Sequence, residues 1–141
     1  GDVMKGSAGI AVTLVKELYP EKAELFAKNG LHIHVPAGAV PKDGPSAGIT
    51  LVTALSSLVS GKPVNPEIAM TGEVSLRGGI MPIGGLPEKL MAAQRAGVKK
   101  VYIPKDNMPD LEDVAAEVKE KLTIVPVKKI TDVLKAEKVM A

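Results

Sequence analysis

Cysteine and tryptophan are absent from this 141-residue chain, and only three aromatic residues occur: Tyr19, Phe26 and Tyr102. Without cysteine there is no disulfide, no thiolate metal site and no cysteine nucleophile. With so few aromatics there is no interleaving of aromatic and basic side chains of the kind that stacks bases along a charged groove, so nucleic-acid contact is not expected. An excess of one charge sign is missing too: 18 Lys and Arg stand against 16 Asp and Glu, a formal charge of +2 scattered along the chain. No apolar run has membrane-spanning length, and no charged-then-apolar leader opens the sequence. The expectation is a cytoplasmic protein without membrane contact.

What is present is a 45% hydrophobic chain of the length of one domain, with no internal repeat, low-complexity segment or linker. Residues 1–141 therefore read as a single unit. From Val3 to Tyr19, Ile10, Leu14 and Leu18 recur at helical spacing with Val12 and Val15 beside them, and Pro20 stops the run. Glu21 to Lys28 reads as a short helix ending at Asn29-Gly30. "LHIHVP" alternates, with Leu31, Ile33 and Val35 on one strand face and His32 and His34 on the other. "SAGITLVTALSSLVSG" is too long for a strand and predicts a buried helix from about Ser46 to Gly61.

From Glu67 to Ile83, two strands are expected around an Arg77-Gly78-Gly79 hairpin turn. "GGLPEKLMAAQRAG" predicts a helix with Pro87 in its first turn, an apolar stripe through Leu90, Met91 and Ala93, and a stop at Gly97. "VKKVYIP" reads as a strand, "MPDLEDVAAEVKEKL" as one amphipathic helix, "TIVPV" as a strand and "ITDVLKAEKV" as a closing helix. Such a βαβα tail belongs to an α/β or α+β domain.

Chemistry concentrates in a few places. In "PKDGPSAG", Lys42-Asp43-Gly44-Pro45 is turn chemistry, and Ser46 after it is either a helix cap or a nucleophile. A serine at a helix start sits beside backbone N–H groups that can hold a developing oxyanion. Three residues are candidates for its base. His32 and His34 share a strand face, and histidine is the commonest partner of a nucleophilic serine; as a zinc pair they lack a third ligand. Lys89 sits near the N-terminus of its helix, where the macrodipole disfavours a cation. At an ordinary pKa near 10.4 roughly 0.1% of a lysine is neutral at pH 7.5, and making half of it neutral there takes about 4 kcal/mol against the ammonium. Burial and the dipole can supply that. Thr71, in "MTGE", adds a hydroxyl at a strand end; taken alone it is an ordinary β-branched strand residue, as Lys89 taken alone is a surface lysine.

Taken together, "GDVMKGSA", "HIHVPAGAVPKDGPSAG" and "AMTGEVSLRGGIMPIGGLPEKLMAAQRAGVKKVYIP" closely resemble the proteolytic domain of Lon, the ATP-dependent protease. The resemblance spans nearly the whole chain, with long motifs in the right order at matching separations. "PKDGPSAG" looks like the nucleophile motif of the A-type branch, bacterial and mitochondrial, rather than of the membrane-bound archaeal branch. The resemblance implies an α+β fold of the kind found in the second domain of ribosomal protein S5, and a Ser/Lys dyad of Ser46 and Lys89. It implies that Thr71 hydrogen-bonds the lysine amine, and that Asp43, Glu73, Arg77, His32 and His34 flank the site.

It also implies unfolded protein or peptide substrates, a homohexameric ring in the intact enzyme, and no cofactor or metal in this domain. ATP and Mg would belong to an ATPase module, whose G-x-x-x-x-G-K-[ST] loop does not occur here. The chain thus reads as a proteolytic domain without its ATPase and N-terminal domains. Ala37 stands where the family commonly has glutamate, and Pro87 where lysine is usual; both put loop details rather than mechanism in question. Asp43, three residues before Ser46, is a candidate off switch, since an ion pair with Lys89 would favour the ammonium. Three other readings stay open: a non-catalytic scaffold of related fold, a phosphate-binding kinase using Gly44 to Gly48 as an anion loop, and a Ser/His enzyme.

Overall fold

The computed structural model describes residues 2–22 and 48–140. Helix α1 runs Asp2–Leu18, followed by a 3-10 turn at Pro20–Lys22. Its buried stripe is Ala11, Leu14 and Val15, with Ile10, Val12 and Leu18 at the flanks. The contact face is therefore rotated from the Ile10, Leu14, Leu18 line that spacing alone suggested. Helix α2 is Gly48–Ser60, whose Ile49, Val52, Leu55 and Val59 bury one side at helical spacing. Gly61, at φ +70°, ends it as a left-handed stop. The expected strand of residues 31–36 and most of the helix of residues 21–28 lie outside the described residues.

Strands β1 (Ile68–Met70), β4 (Lys100–Pro104) and β5 (Thr123–Val127) form a parallel sheet in the order β1-β4-β5. Strands β2 (Glu73–Val74) and β3 (Ile80–Met81) form a separate antiparallel hairpin. The segment expected as two strands is thus three, and β1 leaves the hairpin to pair with β4. Gly72 is the reason the chain can turn there: a Cβ on it would stand 2.8 Å from Ile80 Cγ2 and 3.5 Å from Pro104 Cγ. The hairpin turn spans Ser75 to Gly78, where Gly78, at φ +84°, donates its N–H to Ser75 C=O at 2.9 Å.

Helix α3 (Leu86–Arg95) connects β1 and its hairpin to β4, and α4 (Ala116–Lys121) connects β4 to β5. The closing helix α5 is Ile130–Ala136. Alternation along the strands divides the core in two. Tyr102, Ile68, Met70, Val125 and Val127 pack with α1, α2 and α5, whereas Ala69, Val101, Ile103 and Ile124 pack with α3 and α4. The expected single helix over "MPDLEDVAAEVKEKL" is instead a 3-10 helix, Lys105–Asp113, and the short α4. Pro109 inside the first part has no N–H to donate, and Val114 takes an extended backbone (φ −92°, ψ 132°) that buries its side chain beside α3.

On the α5 side of the sheet a part-buried polar contact links β4 to that helix. Tyr102 donates its hydroxyl to the Glu137 carboxylate, which also accepts from Lys100 Nζ at 3.0 Å. This ties the central strand to the end of α5.

Candidate active site

In open sheets of parallel strands, ligands gather beyond the carboxyl ends of the strands. Four pieces of this chain meet at that edge. Thr71 N–H donates to Tyr102 C=O at 3.1 Å, carrying the β1 ladder one residue past Met70. Strand alternation puts Thr71 on the face of Ala69, the α3 side, and Thr71 is buried there. Next, the first turn of α2 lies against residues 70–74. Ile49 N–H donates to Gly72 C=O at 3.1 Å, and Thr50 Oγ1 to Met70 C=O at 3.4 Å. A Cβ on Gly48 would meet Val74 N at 3.1 Å, so only glycine allows this approach without displacing backbone.

Third, α3 begins at the same edge: it is entered from Ile83, whose backbone is bonded by Asn107 just past the end of β4, and it leads back to the start of β4. Its N-cap, Gly85, is left-handed at φ 71° with no side-chain cap, and Pro87 sits in the first turn as expected. Lys89 N–H closes that turn on Gly85 C=O at 3.1 Å. Fully buried Leu86 and Leu90 anchor the turn to the core. Most of the Lys89 side chain is exposed, yet partial burial around its amine lowers its pKa from the ordinary lysine value. Desolvation acts on the ammonium and so favours the neutral amine, the form a base requires.

Fourth, the β2–β3 hairpin lies along this edge. Ile80 N–H donates to Lys128 C=O at 2.7 Å and Ile130 N–H to Gly78 C=O at 2.8 Å, closing the hairpin on the β5–α5 junction. Glu73, half-buried, stands at its base opposite Met81, next in sequence to Gly72. Arg77 is exposed in the turn at the far end, near the start of α5. Thr71, Glu73 and the starts of α2 and α3 therefore share one edge of the sheet, while Arg77 belongs to the outer tip. Ser46, Asp43, His32 and His34 lie outside the described residues. Among the described residues no group of three or more His, Asp or Glu side chains converges to hold a metal ion, and no helix is long and apolar enough to cross a membrane.

Sequence reasoning passed over Asn107. It is 2% exposed, its Oδ1 accepts from Ile83 N–H at 2.9 Å, and its Nδ2 donates to Ile83 C=O at 2.8 Å and to Asp110 Oδ2 at 2.7 Å. An asparagine two residues before a proline signals a turn. Nothing local reveals a partner 24 residues upstream.

Comparison with known proteins gives the class of protein, a proteolytic domain. The family model of the Lon protease (S16) C-terminal proteolytic domain matches residues 1–139. The chain belongs to that family. It is 59% identical over 135 residues to the Lon protease of Clostridium beijerinckii, covering 96% of this chain and 17% of that protein. It is 53% identical over 137 residues to the Lon protease of Methanosarcina barkeri, with 96% and 17% covered. To the Lon protease of Salinispora arenicola it is 56% identical over 140 residues, with 95% and 18% covered. The chain thus spans less than a fifth of the length of these relatives.

Proposed function

We propose that this chain is a serine endopeptidase domain in which Ser46 is the nucleophile and Lys89 its base. The observation that carries the reading is the partial desolvation of Lys89 in the first turn of α3, at the sheet edge where α2, the helix that follows Ser46 by two residues, also begins. Buried Thr71 at the same edge is suited to accept from the lysine amine and aim it.

Neutral Lys89 takes the proton from Ser46 Oγ as that oxygen attacks the carbonyl carbon of a peptide bond. The carbonyl electrons move to oxygen, and backbone N–H groups hold the oxyanion. Ile49 N–H is engaged by Gly72 C=O and is not one of these donors. The tetrahedral species collapses, the C–N bond breaks, and Lys89 gives its proton to the departing amine. Water then attacks the Ser46 ester, Lys89 takes a proton from it, and the proton returns to Ser46 Oγ as the acid is released.

The same proposal extends to what the family resemblance implies of a whole protein: a cytoplasmic, ATP-dependent protease acting on unfolded chains, with ATP and Mg used outside this domain and a homohexameric ring as its assembly. It also extends the mixed fold to the ribosomal protein S5 domain 2 type. A serine-reactive fluorophosphonate tests the nucleophile. It should label Ser46 in the parent chain and label at least roughly 100-fold more slowly in Lys89→Ala, since a positioned base contributes at least that much. Equal labelling of the two chains rejects Lys89 as the base.

A further inference from the structure

Between the β2–β3 hairpin and α3 the chain runs through Pro82-Ile83-Gly84-Gly85. Gly84 and Gly85 are exposed, nothing lies within 4 Å of where a Gly84 Cβ would be, and the α3 N-terminus has no side-chain cap. The two glycines supply no rigidity of their own. Ahead of buried Leu86, the last residue held from elsewhere in the fold is Ile83, and both its backbone groups are held by one side chain, the Asn107 carboxamide. Asn107 is itself aimed by Asp110, which accepts from the same Nδ2 at 2.7 Å. From Ile83 the path to Lys89 is short: two glycines, then the hydrogen bond from Lys89 N–H to Gly85 C=O.

We infer that Asn107 is a positioning residue for the reaction, a clamp on Ile83 that fixes where α3 begins and thereby where the Lys89 amine stands. Asn107 touches neither substrate nor the reacting atoms. Asparagine suits the task because its carboxamide presents a donor and an acceptor side by side, matching the C=O and N–H of one residue. Aspartate offers no donor there and would set a second carboxylate beside Asp110. The lowered pKa of Lys89 fits this picture, since the desolvation of an exposed side chain's amine depends on where its backbone is held.

The inference rests on Lys89 as the base but is tested separately from it. In the parent, Asn107→Ala and Asp110→Ala, the Lys89 amine is titrated by NMR of labelled lysine side chains, and peptide hydrolysis is followed against pH. The parent Lys89 should titrate below the other lysines. In Asn107→Ala it should move up towards them, kcat should fall by roughly 10 to 100-fold while KM stays within about threefold, and the alkaline rise in rate should shift upward in pH. Asp110→Ala, which leaves the clamp in place but unaimed, should move each readout the same way by less, and it serves if Asn107→Ala does not fold. A folded variant whose Lys89 titration and pH profile match the parent overturns the clamp. If Lys89→Ala remains active, the dyad fails instead, and the NMR titration still decides whether Asn107 positions Lys89.

Discussion

Gly72 follows buried Thr71 and accepts from the first turn of α2, and replacing it with alanine is a sharp test of the geometry. The added Cβ would stand 2.8 Å from Ile80 Cγ2, closer than carbon atoms tolerate, with Pro104 Cγ at 3.5 Å and Ile49 Cβ at 3.8 Å. Ile80 is 7% exposed and β-branched, so its Cγ2 moves only if χ1 leaves its preferred well or the backbone yields. Overpacking of this kind costs about 1–3 kcal/mol. Alanine restricts the unfolded chain more than glycine does, which returns about 0.4–1 kcal/mol. The net is a loss of about 1–2 kcal/mol, or roughly 3–7 °C in Tm for a chain of this size. Thermal unfolding by circular dichroism reads it directly. Gly9→Ala is the matched control, because Gly9 is exposed within α1 with nothing within 4 Å of its would-be Cβ. There alanine should stabilise by about 0.5–1 kcal/mol. If Gly72→Ala melts at or above the parent while Gly9→Ala behaves as stated, the close packing of β3, β4 and α2 at Gly72 is wrong.

Two further outcomes follow from the same structure, and a third from the sequence alone. Leu90→Ala, which empties a fully buried site between α3 and the sheet, should lose about 2–5 kcal/mol in urea unfolding. In the Lys100–Glu137–Tyr102 cluster, the hydrogen bond to Glu137 raises the Lys100 pKa above its ordinary 10.5, and burial followed by the Glu137 hydrogen bond raises Tyr102 above 10.0. Both contributions are complete below those ordinary values and disappear as pH climbs through the raised ones, so urea unfolding should weaken above about pH 10 in the parent and less so in Glu137→Gln. Asp43→Asn should raise peptidase activity near neutral pH by removing a carboxylate able to hold Lys89 charged; an unchanged rate and pH profile dismisses that switch.

Much of the fold was legible because burial follows short periods. The helices of residues 2–18, 48–60, 86–95 and 130–136, and the strands at 100–104 and 123–127, each carry their own apolar pattern or their own stop signal. Where the sequence misled, a contact distant along the chain decided. Ile68 to Met70 has strand composition, but only Gly72 packing on Ile80 and Pro104 separates it from the hairpin and leaves it to pair with β4. The acid-rich stretch after Pro104 has helical composition, yet Asn107 bonds back to Ile83 and Val114 reaches the α3 core, so the helix breaks into two. The candidate site, whose chemistry remains a proposal, stands out unevenly in the sequence. Lys89 at the unfavourable end of a helix was visible as a misplaced charge, and the partial desolvation of its amine agrees with that reading. Thr71 gave only a strand-end hydroxyl, because what matters about it is which edge it shares. Asn107 gave nothing, since its role depends on the backbone of Ile83 rather than on any neighbour in sequence.

The dyad itself is tested most directly by peptide hydrolysis measured across pH for the parent, Ser46→Ala and Lys89→Ala. The account predicts a parent rate that rises toward alkaline pH as Lys89 loses its proton, and a loss of at least roughly 100-fold in both variants. A rate governed by a group titrating near 6.5, kept in Lys89→Ala and lost in His34→Ala, would contradict it and assign the base to histidine.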